Sequence, residues 1–398
     1  MKYVVVLADG MADVPIEELS GKTPLEYAKT PCMDDLAARG TMGMVRTVPG
    51  TMKPGSDVAN LAVMGYDPAS CYSGRSPLEA LSVGVSMKDT DVVFRCNLVT
   101  LSEDGPYEEK VILDHSSGEI SSDDAAILMD AVREAFQNDT FRFYNGTSYR
   151  HITIWDQGEI LDLEAPHDHL GQVIRPFLPE NEQFFRMMKE SFDVLNNHPL
   201  NVKRAQEGKN KANSLWFWGA GTKPSLQNFR EKTGLRGTMI SAVDLLKGIA
   251  YGSGMDVVNV EGATGSLDTN YLGKAEAAVN ALLKDGKDFV YIHVEAPDEM
   301  GHQGNLQHKV ESIEHIDAEI ISVVKTALDK AGEPYRILVL PDHPTPVSLR
   351  THTADPVPYV LFDSASRTEN KVTFSEKNAA KTGVFVEDGY RLLDAFIN

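Results

Sequence analysis

The chain has 398 residues, 42% hydrophobic and 24% charged, with a formal net charge of −20 at pH 7. That length predicts two domains, and that composition predicts a soluble globular protein. The acidic balance argues against a general nucleic-acid binder, and the lack of any eighteen-residue apolar run argues against a membrane span. An anionic small substrate stays open, because a bound metal ion or a group of arginines reverses the potential locally. Cys32, Cys71 and Cys96 have no paired spacing and no zinc motif, which predicts a reducing, cytoplasmic setting. The first apolar run ends in an aspartate and reads as a core strand rather than a signal peptide.

In chain order, residues 3–8 form a strand that stops at Asp9-Gly10. A short helix follows over 31–39 with Gly40 past its end, and 41–48 is a strand. After the loop 49–55, Val58, Leu61 and Ala62 have helical spacing from Ser56, and Gly65 is the C-cap. From residue 85 the texture changes. Short alternating strands at 92–99, 141–144 and 151–155 are mixed with helices at about 122–137 and 180–196, which predicts an inserted, smaller α+β domain over 85–232.

From 233 onward strands and helices alternate. Helices are predicted at 241–251, 270–284 and 306–330, the last with Val310, Ile313, Ile316, Ile320 and Val323 along one face. Strands are predicted at 255–260, 288–294, 336–340 and 357–362. Their continuous β-branched runs imply an α/β domain, 1–84 with 233–398, built on a mostly parallel sheet with helices on both faces.

In such a sheet, ligands bind beyond the carboxyl ends of the strands. Asp9 follows the first strand. Asp298 and His302 follow the strand 289–294 and share a helix face at i and i+4. Asp342 and His343 follow the strand 336–340, and His352 comes a little later. A single aspartate there would be an ordinary helix cap, but three carboxylates on one edge repel unless cations bind them. Mixed oxygen and imidazole donors suit manganese, zinc, iron or magnesium, and they suffice for two ions. Ser56 reads either as a plain N-cap or as a nucleophile at a phosphate-holding helix start.

Several stretches then match one family in order. They are Ala8-Asp9-Gly10-Met11-Ala12-Asp13, Pro54-Gly55-Ser56-Asp57-Val58-Ala59-Asn60, Gly74-Arg75-Ser76-Pro77-Leu78-Glu79-Ala80, Phe94-Arg95-Cys96-Asn97, Gly262-Ala263-Thr264-Gly265, His293-Val294-Glu295-Ala296-Pro297-Asp298-Glu299-Met300-Gly301-His302 and Pro341-Asp342-His343. Together they resemble the archaeal-type cofactor-independent phosphoglycerate mutases of the alkaline phosphatase superfamily. The resemblance implies two divalent ions (Mn, Zn, Co or Mg), one on Asp298, His302 and His352, the other on Asp9, Ser56, Asp342 and His343. It implies that Ser56 takes the phosphoryl group of 3-phosphoglycerate and returns it to the 2-hydroxyl, with no free bisphosphoglycerate. The insertion then becomes a substrate-holding lid, with Arg95, Asn97, His115, Arg150 and His151 as its contacts. A small phosphorylated acid is the expected partner, and the protein is expected to be a monomer or small homo-oligomer in glycolysis or gluconeogenesis. A phosphatase, or a phosphotransferase acting on another small hydroxy compound such as homoserine, is the alternative. Gly301 is read as the small residue that lets the turn pass close to the metal. Pro344-Thr345-Pro346 departs from the superfamily, where glycine is common.

Overall fold

The computed structural model describes residues 1–366 and 372–398. The chain forms two compact units, Met1–Tyr72 with Ser225–Asn398, and Ser73–Pro224. Among the described residues the strands are, in chain order, β1 Lys2–Ala8, β2 Thr41–Val45, β3 Asp91–Leu101, β4 Ile112–Asp114, β5 Phe141–Tyr144, β6 Arg150–Asp156, β7 Ser214–Thr222, β8 Gly237–Ile240, β9 Asp256–Val258, β10 Phe289–Val294, β11 Tyr335–Leu340, β12 Val357–Asp363 and β13 Phe385–Val386.

The larger unit holds one sheet of order β13-β2-β12-β11-β1-β10-β8-β9. β1 sits at its centre, and Val4 through Ala8 have no solvent exposure on either face. That double burial is why its sequence is continuously apolar instead of alternating. β1 is parallel to both β10 and β11. β12 runs antiparallel to β11, an exception within the expected mostly parallel sheet. The reversal brings the start of β12 to the edge where β11 ends. β8 carries no signal in the sequence, and the helix predicted over 241–251 begins only at Asp244.

The predicted helix 306–330 is two α-helical segments, Leu306–His315 and Ser322–Ala331, joined by a π-helical turn over Ile316–Ile321. Its buried face is Lys309, Ile313, Ile316, Ile320, Val324 and Leu328. Val310 and Val323 lie beside that face, half-buried. A lysine therefore occupies a position that the apolar pattern gave to valine.

The smaller unit is a five-stranded sheet in which β3 pairs with β4, β6 and β7. The helices Ser122–Phe136 and Glu182–Leu195 cover one face, around Phe94, Phe184 and Phe217. On the other face Ala80, from the helix Arg75–Ser82, packs with Val93, Ile152 and Ile154. That helix therefore belongs to the smaller unit, and the division falls at 72/73 rather than at 84/85. At the far end Phe229 packs against Phe289, the rings tilted with centroids 4.9 Å apart, and residues 225–232 belong to the larger unit.

Candidate metal centre

β11, β1 and β10 are neighbours in matched register, with Leu7 opposite Leu340 and Ala8 opposite Val294. Their exits therefore lie side by side and deliver Asp342, Asp9 and the helix Ala296–Gln303 to one edge. Two overlapping groups result, Asp9 with Asp342 and His343, and Asp298 with His343 and His352; the ligand atoms of each lie within 4.8 Å of one another. His302 joins the second group. Its Nε2 is 3.3 Å from Asp298 Oδ2 and 2.9 Å from His352 Nε2. Its Nδ1 lies 3.0 Å from the Arg350 carbonyl, so Nδ1–H donates there and leaves Nε2 facing the cluster.

Ser56 is the first residue of the helix Ser56–Val63, and the N-cap position is taken by Gly55. The hydroxyl instead lies 3.3 Å from Asp9 Oδ2 and 3.2 Å from His343 Nε2. The plain-cap reading therefore fails, and all seven residues expected at this edge come together. Lys53 is exposed at the surface.

The electrostatics fit a cation. Burial, then the charges of Asp342 and Asp298, push the Asp9 carboxyl well above its ordinary value. Burial acts upward on Asp342 too, but His343 and the hydrogen bond with Asp9 hold it below. Burial also opposes ionisation of Asp298, yet hydrogen bonds from His302 and His352 keep it well below the usual range. Asp9 Oδ1 is buried without a hydrogen-bond partner. An orphaned carboxylate oxygen among two further buried carboxylates and three imidazoles is a donor set that suits divalent metal ions.

Four supporting residues carried no separate signal in the sequence. His293 is fully buried, and burial pulls its imidazole down to about 3, so it is neutral. Ser241 Oγ accepts the Val243 N–H and donates to His293 Nδ1 at 3.2 Å, leaving Nε2–H for Asp9 Oδ2 at 2.9 Å. Asn60 donates to the Ser56 carbonyl at 2.8 Å and to Asp342 Oδ2 at 2.9 Å, and accepts from the Tyr291 hydroxyl at 2.6 Å. Thr345 donates its hydroxyl to Asp298 Oδ1. Gly10 must be glycine: its φ is +62°, and a Cβ there would stand 2.6 Å from both Asp298 Oδ1 and Thr345 Oγ1. Gly301 serves a different purpose from the one expected. A Cβ on it would strike the Thr345 carbonyl, so it admits a neighbouring loop rather than a metal ion.

In the smaller unit, Arg95 ion-pairs with Glu79 at 2.9 Å, and its guanidinium lies 4.9 Å from the Trp218 ring centroid. His167, absent from the sequence reading, packs edge-on to Trp218 at 5.2 Å and to His115 at 5.9 Å. Asn97 is buried, accepts from Trp218 Nε1 at 3.2 Å and donates to the His115 carbonyl at 3.4 Å. Arg150 is opposite Asn97 in the β3–β6 ladder and is exposed; His151 is opposite Cys96 and is buried. Period-two alternation puts Arg150 on the face of Arg95 and Asn97, and His151 on the core face. His151 Nδ1 accepts the Gly146 N–H at 3.2 Å, and burial pulls the ring down to about 3. His151 therefore does not join Arg95, Asn97 and Arg150 on their face.

The family model for 2,3-bisphosphoglycerate-independent phosphoglycerate mutase matches residues 37–201. A probable 2,3-bisphosphoglycerate-independent phosphoglycerate mutase of Geobacter sulfurreducens is 49% identical over 405 residues, covering 100% of both chains. The chain belongs to this family. The Methanosarcina acetivorans phosphoglycerate mutase of the same name is 48% identical over 96% of each chain. Among solved structures, a protein from Pyrococcus horikoshii superposes with a TM-score of 0.81 at 31% identity, over 100% of this chain and 96% of that one. The cofactor-independent phosphoglycerate mutase of Thermoplasma acidophilum superposes with a TM-score of 0.68 at 27% identity, over 100% and 99%. The fold and the family membership implied by the sequence motifs thus both hold.

Proposed function

We propose that the protein interconverts 3-phosphoglycerate and 2-phosphoglycerate through a phosphoserine on Ser56, without free 2,3-bisphosphoglycerate. The observation that carries this reading is the Ser56 hydroxyl, held 3.3 Å from Asp9 and 3.2 Å from His343 at the start of a helix. Asp298, His302 and His352 would hold one divalent ion, and Asp9, Ser56, Asp342 and His343 the other. Such ions would neutralise phosphoryl charge and lower the pKa of the serine hydroxyl.

The residues of the chain do the rest. The helix start presents backbone N–H groups to the phosphoryl oxygens. Ser56 Oγ bonds to phosphorus as the bond from phosphorus to the substrate 3-oxygen breaks; the hydroxyl proton leaves Ser56 and the departing oxygen takes one up. The glycerate 2-hydroxyl then loses its proton and attacks phosphorus, the bond to Oγ breaks, and Ser56 regains its hydroxyl. Arg95 and Arg150 supply the charge we assign to anion binding in the smaller unit, together with the His115 ring. Asn97 orients that group through Trp218 and the His115 carbonyl.

The test is a coupled mutase assay across Mn, Zn, Co and Mg with no added bisphosphoglycerate, run on the wild type and on Ser56→Ala. The expected result is clean 2-phosphoglycerate from the wild type. Ser56→Ala should lose turnover and phosphoserine labelling yet keep nearly all its metal. Release of free phosphate by the wild type would point to a phosphatase instead, and activity surviving in Ser56→Ala would sink the mechanism.

A further inference from the structure

The loop after Asp342-His343 is tied down with unusual thoroughness. Met11 and Ala12, just past β1, form backbone bridges with Pro344, and the Thr345 N–H donates to the Ala12 carbonyl at 3.3 Å. Lys309 has no solvent exposure. Its ammonium donates to Asp13 Oδ2 at 2.8 Å, to the Thr345 carbonyl at 2.8 Å and to the Ala12 carbonyl at 3.4 Å, which uses all three of its protons. Asp13 is bonded through both oxygens: Oδ1 accepts the Val14 N–H at 2.8 Å, and Oδ2 accepts the Val347 N–H at 3.1 Å beside Lys309. One buried ion pair thus clamps the exit of β1 to the exit of β11.

The clamp has one polar output. The Thr345 hydroxyl donates to Asp298 Oδ1 and lies 3.3 Å from His343 Nδ1. With its own proton committed to Asp298, the oxygen accepts Nδ1–H from His343. That choice leaves His343 Nε2 as the lone-pair atom facing Ser56 at 3.2 Å. Glycine, expected by analogy at this loop, could do neither.

We propose that Thr345, pinned by Lys309, is a positioning residue for the metal centre, fixing the rotamer of Asp298 and the tautomer of His343. The inference rests on the metal reading of the site and goes beyond its ligands. Residues one step behind a metal ligand typically alter affinity about 10–100-fold. Thr345→Val keeps the shape and the carbonyl but removes the hydroxyl; Thr345→Ser restores it. The experiment is calorimetric titration of Mn²⁺ into metal-free protein, without substrate, for wild type, Thr345→Val, Thr345→Ser, Lys309→Met and the double variant. We expect Thr345→Val to bind at least about tenfold more weakly, and Thr345→Ser to bind close to wild type. Because the two residues act in series, the double variant should lose less than the sum of the singles. Thr345→Val binding Mn²⁺ within about twofold of wild type, even with lowered thermal stability, would overturn the inference, since second-position effects are larger than that. Should Lys309→Met fail to fold, the valine and serine variants still decide the matter. A wild type that binds no divalent ion would instead overturn the metal reading itself.

Discussion

His302 shows what a single residue contributes here. Its hydrogen bond to Asp298 raises the imidazole to about 9 in the metal-free protein, above its ordinary 6.5. The sign follows directly. The charged pair stabilises the fold fully below about 6.5, and that stabilisation is lost as pH rises through about 9. A metal ion on Nε2 needs the proton gone, so it competes with the same proton. Apparent Mn²⁺ affinity should therefore climb about tenfold per pH unit from this group alone and level off near 9. Calorimetry in buffers of different ionisation enthalpy reads both the slope and the proton released. A flat profile in the wild type would contradict the role given to His302, and His302→Gln should flatten it.

At the scale of elements, strand alternation separates two adjacent residues that look alike in sequence. Arg150 and His151 are neighbours, yet β6 turns one to the charged face and the other into the core. Arg150→Ala should raise KM for phosphoglycerate about tenfold, the equivalent of one lost charge-assisted hydrogen bond, and leave thermal unfolding almost unchanged. His151→Leu should do the reverse. It removes the acceptor of the half-buried Gly146 N–H, so urea unfolding should report a loss of about 1 kcal/mol, with KM near wild type. If His151→Leu changed KM and not stability, the facing derived from the register would be wrong. The long helix teaches a related lesson. Lys309 lies on its apolar face because Asp13 and two carbonyls meet it there. Lysine is almost never buried without such partners, and its partners lie nearly three hundred residues away along the chain or across another loop.

At the scale of the whole molecule, all seven expected ligands belong to the unit Met1–Tyr72 with Ser225–Asn398. Bound metal therefore stabilises that unit by mass action, about 2.7 kcal/mol when the free ion is a hundredfold above its Kd. Chelation should lower amide-exchange protection around β1, β10 and β11 and leave the core of Ser73–Pro224 as it was. Equal loss in both units, followed by mass spectrometry of exchanged peptides, would place a metal where we have not. No helix among the described residues is long and apolar enough to cross a membrane.

The sequence by itself determined the α/β class and the family, and it led to the expectation of an inserted second domain and of ligand residues at the strand ends. It could do so because these are written locally: continuous apolar strands, turn residues at their exits, and acid or imidazole side chains at short spacing. Only the tertiary structure decided that His352 reaches the same edge, through the reversed β12, and that His343 stands within reach of both ligand groups. It also decided that Ser56 points at Asp9 rather than capping its helix, that Arg75–Ser82 belongs to the smaller unit, and that Gly301 makes room for Thr345. The supporting roles of His293, Asn60, Thr345 and Lys309 could not be assigned from sequence for one physical reason. Each acts through partners that are distant in the chain, and a polar residue's role is set by what meets it once it is buried.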